Sequence, residues 1–519
     1  MKKLLFFCFS ILCVFSAHAQ YNITVKIYGF KADSLFLSSF NFEKNKFVVQ
    51  DSRSYADEVI LKGKKSLAPG YYVISADSMD MAAFFISDEK NQKFQIEVWN
   101  DMKQFSGSEE NSAFLSMKAR EKEFDNRLKV LDNEFAEIQK NSLPQYMKQT
   151  MVDSLVARAK RIMGEKENYM RELMERYDGT LFASYVQSQL QLPEPPQSCY
   201  GNRDLYNIFL ADTLLANYPW HDERFLATPF AHNILADYMK VIFYMPQNEA
   251  VPRLLKNLRA AQVNETQLYA VFDYFEKMFG SLTSPYRDEK LYIPMLKQML
   301  EYKNLETGRK ARYEFELSMI DKNNEGDLLP DFPMLMSTGE TLSLHQVPAE
   351  YMLVYFQNPD CPTCSQVREK MKTMTHLKNA IASGRLKVLT VYFESDESLW
   401  RRYLTQKANP DYLHAWNYTL SIETDNLYDT RVIPMMMFVD KDKKVIRKDI
   451  PYNDLEPLIQ KLGLSKYITI NHFCDFVCQC CLADSPWTSK TDKKDQSDCS
   501  FQKNHPYRLC IFIGNYAFY

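Results

Sequence analysis

The sequence predicts a multidomain protein with a small antiparallel β domain, an α-helical middle domain and an α/β C-terminal domain. Three patterns predict this order. Up to about residue 105, apolar and polar residues alternate in short runs, as in strands with one buried face. Apolar residues then recur at three- and four-residue spacing to about residue 322, as in amphipathic helices. Beyond that point, continuous apolar runs alternate with helical stretches, as in α/β layer folds.

The charge balance excludes one class of function. The 519-residue chain carries 63 Lys+Arg and 66 Asp+Glu residues, for a net charge of -3. Proteins that bind nucleic acid present a strong positive field to the phosphates. We therefore expect no nucleic-acid partner.

The N-terminus predicts an export signal. Lys2 and Lys3 precede a short apolar run that ends in Ala17-His18-Ala19, which has the A-x-A form of a signal peptidase site. We predict a signal peptide over residues 1–19, removed before Gln20; a retained membrane anchor is the alternative. No later run of the sequence approaches the roughly 20 apolar residues of a membrane span. The protein is therefore expected to be exported, periplasmic in a Gram-negative cell, and not an integral membrane protein.

Residues 21–108 are assigned to the β domain. Residues 23–27 and 94–98 alternate apolar with polar side chains, and turn-like segments such as LAPG and SDEKNQ separate such runs. A small antiparallel sheet or sandwich has this pattern.

Residues 109–325 are assigned to the helical domain. Two apolar stripes lie on either side of Pro144, and two long helices folded back as a hairpin would bury both. The stripes could instead grip a partner, but core packing is the interpretation we adopt.

Residues 326–464 are assigned to the α/β domain. A predicted hairpin at 332–344 is followed by buried strands at 351–356 and 386–393, a further strand at 435–439 and a last helix at 454–462. Between the two buried strands one helix is expected, because apolar residues from Val367 to Ile381 mark one face and Gly384 is placed to end it.

The motif Cys361-Pro362-Thr363-Cys364 lies where a predicted strand meets a helix N-terminus. Pro362 suits the first helical position, and Cys364 follows one turn later on the same face, so the two sulfurs can bond. The positive helix end favours a thiolate at Cys361. We therefore predict Cys361 as the attacking sulfur and Cys364 as the resolving sulfur. Asp360 is a good N-cap, but its carboxylate disfavours a neighbouring thiolate.

A metal clip and a structural staple are the alternatives to a redox couple. Structural zinc needs four ligands, and the pair supplies two with no second pair nearby in this domain. A disulfide across two residues constrains the unfolded chain little. We therefore expect a redox-active disulfide, with no metal and no other cofactor.

Residues 326–464 resemble the thioredoxin-fold domain of exported TlpA-like thiol-disulfide oxidoreductases. LLPDFPMLMSTGETLSL resembles their opening hairpin, YFQNPDCPTC their active-site strand and loop, and VIPMMMFVDKDKKVI the segment after the family's cis-proline. The resemblance implies that Ile433-Pro434 is cis, faces Cys361 and docks an extended substrate chain. It also implies protein thiol or disulfide clients, a membrane electron donor, and reduction as the direction of reaction.

Several positions depart from this family's pattern. Asp360 replaces the usual aromatic residue before the first cysteine, and Tyr355 stands where thioredoxins keep a buried carboxylate for proton transfer. Pro362-Thr363 does not fix the redox direction. The upstream regions resemble uncharacterised N-terminal extensions that accompany some TlpA-like domains.

Residues 465–519 hold six cysteines in a spacing that matches no standard zinc site. No apolar period organises this Cys-rich tail, so we expect a poorly ordered extension. A disulfide-linked or metal-binding tail is the alternative.

Two functions follow from these observations. The first is an exported thiol-disulfide oxidoreductase that acts on protein clients. The second is a binding or redox-sensing module, in which the N-terminal domains grip a partner and the thioredoxin-like domain is a scaffold.

Overall fold

The computed structural model describes residues 21–88, 92–99 and 102–464. The predicted signal peptide and the Cys-rich tail lie outside the described residues. The chain forms two compact units, and the boundary between them falls between Lys277 and Met278. Within the described residues, no helix combines the length and apolarity needed to cross a membrane.

The first unit begins with a β sandwich. Its strands are β1 (Tyr21–Tyr28), β2 (Ser34–Asn41), β3 (Lys46–Ser54), β4 (Glu58–Gly63), β5 (Gly70–Ala76), β6 (Met79–Ile86), β7 (Gln92–Trp99) and β8 (Met102–Ser106). They form two four-stranded sheets, in the orders β4-β1-β7-β8 and β3-β2-β5-β6. Ile23 and Ile96 of the first sheet share one buried core with Leu37 and Phe84 of the second. The predicted β domain is therefore a two-layer sandwich.

One strand pairing in this sandwich departs from the antiparallel expectation. Strands β1 and β7 pair in parallel, with Tyr21 opposite Gln92, whereas the other pairings of this domain are antiparallel. The alternation of apolar residues determines which face of a strand is buried, but it carries no information on the direction of the neighbouring strand. The first sheet is therefore mixed.

The helical region opens with the predicted hairpin. Its helices are α1 (Glu109–Lys140), α2 (Gln145–Arg176), α3 (Leu181–Ser188), α4 (Arg203–Thr213), α5 (Pro229–Phe243), α6 (Gln247–Ala261), α7 (Glu265–Phe279), α8 (Glu289–Leu300) and α9 (Thr307–Ile320). Phe124 and Leu131 of α1 pack against Leu155 and Ile162 of α2 in one core cluster. Helices α8 and α9 belong to the second compact unit.

The second unit is built on one seven-stranded sheet. Its strands are β9 (Pro333–Met336), β10 (Thr341–Ser343), β11 (Tyr351–Phe356), β12 (Leu386–Tyr392), β13 (Leu413–Trp416), β14 (Met435–Asp440) and β15 (Val445–Arg447). The order is β10-β9-β13-β12-β11-β14-β15, with β11 parallel to β12 and antiparallel to β14. Val354 and Phe356 belong to one core cluster, whereas Leu353 and Tyr355 belong to another. Side chains alternate across a strand, so both faces of β11 are covered.

Five helices accompany this sheet: α10 (Pro362–Met371), α11 (Thr375–Ala382), α12 (Glu397–Gln406), α13 (Ser421–Thr424) and α14 (Tyr452–Lys461). The single helix expected between β11 and β12 is wrong, because the chain breaks at residues 372–374 into α10 and α11. Met371 and Leu377 still reach the same core, which is why their spacing looked continuous. The alternating strands and helices confirm the predicted α/β layer fold.

Helix α9 and the residues that follow it contact the loop that leads to Pro434. The side-chain amide of Asn323 donates to the carbonyl of Leu427 at 3.1 Å. The Arg431 guanidinium lies 5.6 Å from the centre of the Phe315 ring. The end of the helical region therefore supports one side of the α/β domain.

Candidate functional site

The predicted cysteine pair lies at the junction of β11 and α10. Strand β11 ends at the buried Phe356, and a short loop leads to α10, which begins at Pro362. Cys361 is the N-cap of this helix, and its Sγ accepts the N–H of Cys364 at 3.2 Å. The N–H therefore points from the first helical turn to the sulfur, as expected for a group that stabilises negative charge.

The expectation that Asp360 caps the helix is wrong. The N–H of Asp360 donates to Oδ1 of Asn358 at 2.7 Å, which closes a turn ahead of the helix. This turn places Cys361, not Asp360, at the last non-helical position. Asp360 is consequently an exposed residue beside the pair.

The two cysteines differ in exposure. Both are free thiols, with Cys361 partly exposed and Cys364 buried at 0% exposure. Pro362 and Thr363, between them, are exposed. Cys361 is thus reachable from solvent, whereas Cys364 is not.

Burial has a large effect on the Cys364 thiol. It raises the pKa of Cys364 to about 12, and the hydrogen bond with Cys361 acts in the same direction. The backbone at Asn358 and the charge of Arg368 oppose this increase. Near neutral pH Cys364 is therefore a neutral thiol, and it has to lose a proton before it can attack a disulfide.

Tyr355 occupies the position at which the resemblance implies a buried carboxylate. It is fully buried, and its hydroxyl donates to the carbonyl oxygen of Cys364 at 3.0 Å. Burial raises the pKa of Tyr355 well above its ordinary value, so this residue stays a neutral donor. Tyr355 therefore holds the first turn of α10 and cannot act as a base near neutral pH.

Arg368 is a site residue that the sequence analysis missed. It lies on α10 with only 5% of its surface exposed. Its guanidinium donates to Oε1 of Gln357 and, at 3.3 Å, to the carbonyl of Pro359. The signal in the sequence was its position four residues after Cys364, on the same helical face. The buried guanidinium of Arg368 therefore holds the loop before the cysteines in place.

The segment around Pro434 and the cysteine loop lie at the same end of the neighbouring strands β11 and β14. The Ile433-Pro434 peptide bond is cis, as the resemblance implies. Met435 pairs with Phe356, so Pro434 and the loop that follows Phe356 leave the sheet at one end. Ile433 and Pro434 are both partly exposed. Their role in substrate docking stays a prediction.

The fold and this site define the class of the C-terminal domain. A central strand leads into a helix that carries a dithiol at its N-terminus, and a cis-proline precedes the adjacent antiparallel strand. The C-terminal region of the chain is thus thioredoxin-like. In the part of the chain that the structure describes, no three His, Cys, Asp or Glu side chains group as metal ligands.

Comparison with known proteins gives the particular relatives. Residues 163–323 match a family described as a domain of unknown function, DUF5106. No curated protein matches the chain.

Among solved structures, a thioredoxin-like protein from Bacteroides caccae is 24% identical, with 52% of this chain and 98% of that chain covered and a TM-score of 0.48. The C-terminal domain of an uncharacterized protein from Bacteroides fragilis is 30% identical, with 27% of this chain and 98% of that chain covered and a TM-score of 0.26. The thioredoxin domain of a thiol-disulfide oxidoreductase from Bacteroides vulgatus is 19% identical, with 27% and 97% covered and a TM-score of 0.24.

Proposed function

We propose that the protein is an exported thiol-disulfide oxidoreductase that reduces disulfides of extracytoplasmic proteins. One observation carries the proposal: a partly exposed Cys361 caps α10, and a buried Cys364 follows one turn later with its N–H on the Cys361 sulfur at 3.2 Å. An accessible sulfur that attacks and a shielded sulfur that resolves are what disulfide exchange requires.

The reaction takes two steps. In the first, the thiolate of Cys361 attacks one sulfur of a client disulfide, which forms a mixed disulfide and releases the other client sulfur as a thiolate. In the second, Cys364 loses its proton to solvent and attacks the Cys361 sulfur. This step forms the Cys361–Cys364 disulfide and releases the second client thiolate. Two electrons pass from the pair to the client, and both client thiolates take protons from water.

Each turnover leaves the pair oxidised, so a dithiol donor has to return two electrons. The A-x-A site at Ala17-His18-Ala19 supports export, and an exported reductase needs electrons from across the membrane. We therefore propose a membrane electron donor as a partner, beside the protein clients. In a Gram-negative cell the compartment would be the periplasm.

Client docking is assigned to Ile433 and Pro434. They lie beyond the end of β14, on the side of the sheet from which the cysteine loop leaves. Their partial exposure supports docking of an extended client segment beside these two residues. The backbone groups of the segment would pair with theirs, as in an added strand.

Trapping of a mixed disulfide tests the proposal. In a Cys364→Ala variant the first step proceeds and the second cannot, so a covalent adduct with a protein disulfide substrate such as insulin is expected to accumulate. A reductant should cleave the adduct, and its mass should show that the client is attached to Cys361.

The control is the Cys361→Ser, Cys364→Ala double variant, which keeps every other cysteine of the chain. It should form no such adduct above background. Equal trapping by both variants would refute Cys361 as the attacking sulfur. A protein that forms no adduct at all, yet binds a partner unchanged, would instead favour the binding or redox-sensing module.

A further inference from the structure

We propose that Arg368 is a positioning residue that speeds the resolving step, by stabilising the negative charge that forms on Cys364 when it attacks. The inference rests on the proposed function and adds to it the group that compensates for the missing buried carboxylate. A thioredoxin-like site normally has a buried acidic residue for this step. The buried charged residue here is Arg368, whose charge is positive.

Arg368 is a buried cation among neutral partners. Arg368 is 5% exposed, and its two acceptors, the Gln357 side chain and the Pro359 carbonyl, carry no net charge. Among the described residues, no carboxylate lies within ion-pair distance of it. A buried charge without a counter-charge is costly. The site is therefore arranged so that a new negative charge nearby is stabilised.

The negative charge forms on the same face of the helix as Arg368. Arg368 follows Cys364 by one helical turn, so both side chains lie on the buried face of α10. The charge of Arg368 acts against the effect of burial on the pKa of Cys364. Arg368 and Cys364 both affect the pKa of Tyr355, with Cys364 raising it and Arg368 lowering it. A thiolate at Cys364 would thus be the counter-charge that the guanidinium lacks.

The Arg368 guanidinium is held in place. Its central carbon lies 5.3 Å from the centre of the Tyr403 ring, on helix α12. Tyr403 is itself 2% exposed. A cation between an aromatic ring and two fixed acceptors needs no reorganisation when the thiolate appears, which is the condition for effective electrostatic stabilisation.

The effect should be larger on resolution than on the first attack. Without the guanidinium, the thiolate fraction of Cys364 falls, while the higher basicity of the remaining thiolate offsets about half of the loss. We expect Arg368→Gln to slow resolution about three- to tenfold. Arg368→Lys keeps the charge and should recover part of the rate.

The experiment follows both steps in the full mature chain. The reduced protein is mixed with glutathione disulfide, quenched with acid and alkylated, and mass spectrometry of the peptide that holds both cysteines counts the Cys361–glutathione adduct and the Cys361–Cys364 disulfide over time. Arg368→Gln should raise the transient adduct and shift the pH profile of resolution to higher pH. Lys372→Gln removes one exposed charge that is paired with Glu369 on the same helix and should leave both unchanged.

The outcomes separate the two proposals. If the wild-type protein forms no adduct and no disulfide, the proposed function fails. If the wild-type protein completes both steps but Arg368→Gln shows the same pH profile of resolution, only the role of Arg368 is overturned. Equal slowing of both steps with an unmoved pH profile would show that Arg368 merely holds the loop.

Discussion

Replacing Cys361 with serine is expected to lower the rate of protein-disulfide reduction by more than about a thousandfold. A serine hydroxyl stays protonated at neutral pH and cannot accept the sulfur of a client disulfide, whereas the Cys361 thiol is reachable and its sulfur accepts the N–H of Cys364. The measurement is the rate of reduction of a protein disulfide by the pre-reduced variant in a single turnover.

The control for this variant is Cys199→Ser. Cys199 is a buried free thiol of the first compact unit, so its replacement should leave the rate unchanged. A Cys361→Ser variant that retains a tenth or more of the wild-type rate, or a Cys199→Ser variant that loses it, would contradict the assignment of the attacking sulfur.

The second large effect is a steep pH dependence of resolution. Burial raises the pKa of Cys364 to about 12, so at any pH below that value the thiolate fraction grows about tenfold for each unit. The decay of the mixed disulfide should therefore become about a hundredfold faster from about pH 7 to about pH 9. A stopped-flow record of the adduct at several pH values measures this slope.

A plateau in the rate near neutral pH would contradict this prediction, because it would mean that Cys364 is already ionised there.

The same raised pKa of Cys364 makes the stability of the fold depend on pH with a definite sign. The folded state binds the Cys364 proton more tightly than the unfolded chain does, so this contribution to stability is full below the ordinary thiol pKa and declines as the pH rises through the folded value. Cys364→Ala should remove that part of the alkaline loss of stability.

The sequence predicted the elements that carry the cysteine pair because their signals are local. A continuous apolar strand, a proline at the first helical position and a cysteine one turn later determine the geometry of Cys361 and Cys364 without reference to the rest of the chain. The cap was predicted wrongly because Asp360 and Cys361 are neighbours. The hydrogen bonds from Asp360 to Asn358 and from Cys364 to the Cys361 sulfur select Cys361 as the cap.

The features that sequence reasoning missed depend on contacts between distant residues. The parallel pairing of β1 with β7 follows from where the chain returns to the first sheet. Arg368 was overlooked because a charged residue on a helix is usually exposed. Its burial depends on Gln357 and Pro359 from the loop and on Tyr403 from α12, and no local pattern brings these residues together.

The most direct test of the central claim is the redox equilibrium of Cys361 and Cys364 in the mature protein. The protein is equilibrated with defined thiol-disulfide buffers, and the fraction of the pair that is oxidised is read from the peptide that contains both cysteines. We predict reversible two-electron exchange with a reduction potential near that of thioredoxin, about -270 mV, as a reductant requires. A value near about -120 mV would make the protein a disulfide donor, and the absence of any reversible exchange would contradict the enzyme function altogether.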